Sequence, residues 1–222
     1  MKNSPLLVRL LVIGSLFLVA VTIGYFIIRP SGELPVYNPS QLDPRLVGDA
    51  AKNEKGVHHI SPFHLIDQDG DSVSLADVKG KVVLSDFFFT TCGSICPKMS
   101  TQLIRVQEKY KDEDRLMLLS HSVTPETDSV PVLKAYAEEY GVYHKRWRLL
   151  TGDRKQIYRL ARNSYFADVD KGDGGPDDFV HTENFVLVDP QGRIRGFYDG
   201  TKPAEVDKAM ADIQKLLGEI PS

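Results

Sequence analysis

Cysteine is scarce in this chain: Cys92 and Cys96 are the only two among 222 residues. That excludes a disulfide-dense scaffold and any four-cysteine zinc or iron–sulfur site. An excess of positive charge is also missing. Lys+Arg number 27 against 30 Asp+Glu, a formal net charge of −3, which argues against a strongly basic nucleic-acid binder. Low-complexity sequence and internal repeats are absent. A hydrophobic content of 42% with 26% charged residues is that of a globular domain rather than a disordered chain.

Charge is missing locally as well. Residues 10–28 carry no charged side chain. As a helix this run spans about 28 Å, one hydrocarbon thickness. A cleaved signal peptide would want a shorter apolar core and an A-x-A-like site; neither is found, and no cysteine follows for lipid attachment. The expectation is an uncleaved single-pass anchor. Lys2 and Arg9 precede it and Arg29 opposes them, which favours an N-inside orientation. Without Lys2, Arg9 and Arg29, the body holds 24 basic and 30 acidic residues, a balance of −6. Nucleic acid and anionic membrane surfaces are poor partners for it. The expected organisation is a cytoplasmic terminus (1–9), a bacterial inner-membrane anchor (10–28), a Pro/Gly/polar linker (29–56) and a periplasmic domain (57–222).

In the body, 57–66 and 72–75 flank a turn, Asp67-Gln-Asp-Gly-Asp71, and predict a hairpin. The runs 82–89 and 116–123 predict buried strands, with a short strand at 148–150. Helices are expected over 97–110, 129–140, 153–163 and 203–217. Strands at 184–188 and 194–198 are joined by Asp189-Pro-Gln-Gly192. This order predicts an α/β, thioredoxin-like sandwich. Asp67-x-Asp69-x-Asp71 and Asp168-x-Asp170 imitate calcium loops, but the first lacks Gly at the sixth position and the second has Gly172 where a ligand belongs.

The cysteines lie in FFFTTCGSICPKMS, a strand, a short turn and a helix start. Both thiols then sit at the C-terminal edge of a central strand, where open α/β sheets bind ligands. The i,i+4 spacing points both sulfurs to one helix face, and a helix N-terminus favours thiolate. A structural disulfide would close only a five-residue ring, with an entropic gain of about 2 kcal/mol. Metal binding and redox exchange remain. Thioredoxin-like oxidoreductases use C-x-x-C and a cis-Pro before the strand that runs antiparallel to the active-site strand. Here three residues separate the cysteines, and His181-Thr-Glu-Asn184 precedes that strand. A peroxiredoxin-type motif wants Thr where Phe89 stands. In this topology His181 can reach the cysteine turn, forming a set of two thiolates and one imidazole. That set suits copper, whereas structural zinc would want a fourth protein ligand.

Asp86–Met99 (DFFFTTCGSICPKM), Ser122-Val-Thr-Pro125 and Asp178–Gly192 (DFVHTENFVLVDPQG) together resemble the SCO/SenC family, over roughly residues 57–217 plus the anchor. The resemblance implies a membrane-anchored, thioredoxin-like copper protein that helps assemble the copper centre of cytochrome c oxidase. It implies Cys92, Cys96 and His181 as copper ligands, with Cys92 and Cys96 also a redox-active pair. Its implied partner is the copper-binding subunit of the oxidase or another copper protein. This chain departs from the family pattern in Ser122-Val-Thr-Pro125, where members often have Asp before Pro, and in the acidic, Gly-rich stretch 168–178. Asp86 and His121 are candidates to hydrogen-bond or tune the site from behind the ligands. His58, His59, His64 and His144 are assigned surface or structural roles, Phe87–Phe89 and Trp147 core roles. The leading expectation is a copper metallochaperone rather than an enzyme; the alternatives are a thiol–disulfide oxidoreductase that keeps an acceptor's cysteines reduced, and a redox or copper sensor.

Overall fold

A computed structural model describes residues 5–28, 32–42, 47, 56–168 and 179–220. The chain divides into two units, Met1–Leu34 and Pro35–Ser222. The first is dominated by helix α1 (Pro5–Ile28). Its window Val8–Tyr25 is long and apolar enough to cross a membrane.

The second unit is built on one seven-stranded mixed sheet. Its strands are β1 (His64–Asp67), β2 (Ser72–Ser74), β3 (Val82–Phe88), β4 (Leu116–Ser122), β5 (Trp147–Thr151), β6 (Asn184–Val188) and β7 (Ile194–Asp199). The spatial order is β2-β1-β5-β4-β3-β6-β7. Strands β3, β4 and β5 are parallel; β6 pairs antiparallel with β3, and β7 pairs antiparallel with β6 at the sheet edge. Every residue of β3 and β4 is buried, as a parallel core covered on both faces requires.

The helices are α2 (Leu75–Val78), α3 (Ile95–Lys109), α4 (Val130–Tyr140), α5 (Arg154–Arg159) and α6 (Pro203–Glu219). On one face of β3, Phe88 packs against Tyr136 of α4, whose hydroxyl bonds Ser100 of α3 at 2.7 Å. On the other, Val83 and Phe87 join a core with Phe63, Ile157, Tyr165 and Phe166. Alternation along the strand sorts β3 accordingly: Leu84, Asp86 and Phe88 face α3 and α4, and Val83, Ser85 and Phe87 face the opposite layer.

Most expected elements are present within a residue or two. Asp153 caps α5, accepting from Gln156 N at 2.7 Å, and Gly141 ends α4 with φ 64°. The remaining differences have local causes. The helix expected over 153–163 changes after Arg159 to a π-helical turn, Leu160–Ser164. The short α2 follows Ser74, which shares hydrogen bonds with Asp77 in a capping box. Residues 35–42, part of the expected linker, pack on the domain: Tyr37 pairs with Ile194, Arg195 Nε donates to the Pro35 carbonyl at 3.0 Å, and the Tyr37 ring meets Phe197 edge-on. An aromatic and an open strand edge outweigh the Pro-rich composition there. The acidic stretch beyond Asp168, through Asp178, lies outside the described residues.

Candidate metal-binding thiol site

Strand β3 runs straight into the cysteine turn. The Cys92 N–H donates to the Phe89 carbonyl at 3.3 Å, closing the turn, and helix α3 begins at Ile95. The helix starts two residues before Pro97, so Cys96 lies within its first turn. The Cys96 N–H donates to Cys92 Sγ at 3.4 Å, and Ser94 Oγ lies 3.9 Å from the same sulfur. Both cysteines are free thiols and buried, Cys96 more deeply at 2% exposed against 8% for Cys92.

The two thiols differ in acidity. Burial pushes Cys92 up, but the Ser94 N–H, the Cys96 thiol and the Cys96 N–H outweigh it and bring Cys92 down to about 7. Burial, together with the neighbouring Cys92 sulfur, pushes Cys96 up to about 12. Near neutral pH Cys92 is therefore the more acidic of the two and divides between thiol and thiolate, while Cys96 keeps its proton. A soft cation or a disulfide bond would have to displace that second proton.

His181 lies on the same edge of the sheet. The register Val83↔Val188 through Ser85↔Val186 carries the start of β6 to the end of β3. The Phe179 ring meets Phe89 edge-on, with centroids 5.2 Å apart. Val180 and Thr182 are buried on either side of His181, and Thr182 Oγ1 donates to the Ala167 carbonyl at 2.6 Å. The imidazole between them is exposed. Among the described residues, no three His, Cys, Asp or Glu side chains stand close enough to hold a metal ion. The structure thus brings the two thiols together and places the His181 segment at their edge, without closing a three-ligand cluster.

Asp86 and His121 are separated by the sheet. Asp86 is fully buried on the α3 face, where Ser120 Oγ donates to Oδ1 at 2.5 Å and Trp147 Nε1 donates to Ser120 Oγ at 2.8 Å. Burial raises its carboxyl to about 7, against the opposing Ser120 bond. His121 projects from the other face. Its ring stacks on Phe87 at 4.9 Å, and Nδ1 donates to the Asp86 carbonyl at 3.2 Å. Burial lowers His121 to about 4, the Asp86 carbonyl opposing, and Nε2 has no hydrogen-bond partner among the described residues. Strand alternation therefore removes His121 from the thiols, although it shares their sheet edge. His58 has the structural role expected of it, with Nε2 at 2.8 Å from the Ser164 carbonyl. Asp67 is a turn acid, accepting from the N–H groups of Asp69 and Asp71 at 2.9 and 3.0 Å.

Sequence reading missed Asp128. It is fully buried, and its carboxylate accepts from Thr90, Ser122 and Thr124 behind the cysteine turn. The only signal was its place five residues beyond the end of a buried strand.

Comparison with known proteins agrees with this arrangement. The SCO1/SenC family model matches residues 51–218. The SCO1 protein homolog of Bacillus subtilis (strain 168) is 36% identical over 159 residues, covering 71% of this chain and 82% of the homolog. The solved structure of BsSco, described as a member of the Sco family of cytochrome c oxidase assembly proteins with a disulfide switch, is 35% identical with a TM-score of 0.62, over 72% of this chain and 94% of that one. ScoI of Bradyrhizobium japonicum, solved with copper bound, is 27% identical with a TM-score of 0.54, over 71% of this chain and 99% of that one. The thioredoxin-like α/β fold, the cysteine turn and these matches lead to one conclusion: the chain belongs to the SCO1/SenC family.

Proposed function

We propose that this protein is a copper metallochaperone, anchored in a bacterial inner membrane by α1 with its body in the periplasm. It carries one copper ion as cargo on Cys92, Cys96 and His181, and delivers it during assembly of the copper centre of cytochrome c oxidase. The observation that carries the reading is the unequal thiol pair at the sheet edge, with the His181 segment held beside it by the Phe89–Phe179 contact. The donor set fits a soft cation: two sulfurs stand together, Cys92 is the readier of them to lose its proton, and an exposed imidazole three residues ahead of β6 can swing onto it. Copper-bound relatives support the same choice. Transfer proceeds by ligand exchange, an acceptor's donors replacing these one at a time at the exposed edge. The protein acts as a carrier without catalytic turnover.

Copper titration of reduced and oxidised protein tests this. Reduced protein is expected to take up one equivalent and develop a thiolate-to-copper absorption band with Cu(II); oxidised protein should do neither. Cys92→Ser, Cys96→Ser and His181→Ala should each weaken binding by at least about tenfold, since loss of groups that merely support a ligand already costs 10–100-fold. Unchanged affinity and spectrum in all three variants would reject the ligand set.

A second reading, a thiol–disulfide oxidoreductase that keeps an acceptor's cysteines reduced, draws on the Cys92 thiolate near neutral pH. Rapid reduction of a model disulfide without tight copper binding would favour it.

A further inference from the structure

Behind the cysteine turn a single carboxyl ties the end of β3 to the segment that follows β4. Asp128 is fully buried. Its Oδ1 accepts from Thr90 Oγ1 at 2.5 Å, and its Oδ2 from the Thr90 N–H at 3.2 Å, Ser122 Oγ at 2.6 Å and Thr124 Oγ1 at 3.0 Å. Among the described residues no basic side chain pairs with it. Its two buried oxygens are satisfied by these four hydrogen bonds, as a buried polar group requires. Thr90 follows β3, Ser122 ends β4, and Thr124 opens the loop to α4. The Asp128 N–H in turn donates to the Thr124 carbonyl at 2.8 Å, and the Val123 N–H donates to the Phe88 carbonyl at 2.9 Å.

Thr90 stands two residues before Cys92, and the Phe89 carbonyl beside it receives the Cys92 N–H at 3.3 Å. With both donors of Thr90 held, the chain leaves β3 in one direction. That direction sets where Cys92 Sγ meets the Cys96 N–H.

We propose that Asp128 is a positioning residue for the thiol pair: by clamping Thr90 it holds Cys92 at the separation from Cys96 that either a shared cation or a disulfide bond requires. The inference rests on the thiol pair being the working site, but not on copper being its cargo. Other buried carboxylates of this kind lie elsewhere. Asp189, which accepts from Gln191 N and Arg193 N and also pairs with Arg193 and Arg195, lies at the far end of β6 from the thiols, and so provides a control for the loss of a buried acid away from the site.

The test is a redox titration of the full-length protein in detergent micelles against glutathione. Oxidised glutathione takes two electrons and two protons from the Cys92 and Cys96 thiols, and leaves as two molecules of glutathione while one protein S–S bond forms. Asp128→Ala and Thr90→Val are each expected to lower the equilibrium constant for disulfide formation by about tenfold, a shift of ~30 mV. Asp128→Asn keeps an acceptor oxygen and should restore most of it. Asp189→Ala should lower Tm and leave the constant unchanged. Thr90→Val leaves the carboxylate and its other donors intact, and reads the clamp if Asp128→Ala fails to fold. If Asp128→Ala and Thr90→Val lower Tm as Asp189→Ala does but leave the constant at the wild-type value, the clamp is only structural and the proposal is overturned. Because the readout contains no metal, failure of copper binding would leave this result standing, and the reverse holds as well.

Discussion

At the scale of single residues, two buried titratable groups on the neighbouring strands β3 and β4 face opposite sides of the sheet and push stability in opposite directions. Asp86 has a carboxyl raised to about 7 by burial, so the folded protein holds a proton that the unfolded chain has released above its ordinary value of 3.8. Stability contributed by the neutral carboxyl is therefore full below about pH 4 and is lost as pH rises through 7. His121, lowered to about 4 by burial, is kept neutral, and its contribution is lost as pH falls from 6.5 through 4. The two trends oppose each other in acid, but only Asp86 acts near neutrality. Asp86→Asn keeps an acceptor for Ser120 and removes the titration. The Tm of this variant relative to wild type is expected to rise steadily between pH 4 and 8, as thermal melts in matched buffers would show. A constant difference across that range would mean that Asp86 is ionised throughout.

The elements meet at places where one side chain leaves no spare room. Gly200 follows β7, and a Cβ there would stand 2.6 Å from Cε1 of Phe185, the second residue of β6. Phe185 is fully buried beneath the hairpin, so its ring cannot yield without moving the sheet. Gly200→Ala should therefore cost about 1–3 kcal/mol by overpacking, read as a lower urea midpoint with unchanged slope. Gly141→Ala, by contrast, meets only open space and suffers from its φ of 64° alone, a loss of about 1 kcal/mol. The ranking of the two variants separates strain of packing from strain of backbone. The hairpin matters for function because β6 brings the His181 segment to the thiol edge.

At the scale of the whole molecule, the division at Leu34/Pro35 separates an apolar helix from a body that holds the entire sheet. Full-length protein is expected in the membrane fraction, resisting extraction by high salt and by alkaline carbonate, because one helix of this hydropathy partitions through apolar area and not charge. A chain starting at Pro35 should be soluble and, through the sole tryptophan, Trp147, show one cooperative fluorescence transition. Recovery of full-length protein in the salt wash would count against the anchor.

Much of this protein can be read along the chain, for reasons of periodicity and local chemistry. Predominantly apolar runs announce β3 and β4 because strands buried on both faces admit few polar residues. Capping and turn residues such as Asp153 and Gly141 mark helix ends because they act within four residues of themselves. The cysteine spacing, read with the segment before β6, was enough to indicate the family. Three other outcomes depended on the folded chain. Strand alternation put His121 on the far face from the thiols, which the sequence's edge assignment alone did not reveal. Tyr37 found an open strand edge and drew part of an expected linker onto the domain. Asp128, with its local partners Ser122 and Thr124, met Thr90 only once β3 and β4 lay side by side. Local pattern determines which elements form, because their hydrogen bonds and hydrophobic faces repeat at short range. Which side chains meet across them is decided by burial and register between residues 34 to 157 positions apart, as in Phe87–His121 and Tyr37–Ile194, and no short stretch of sequence holds both partners of such a contact.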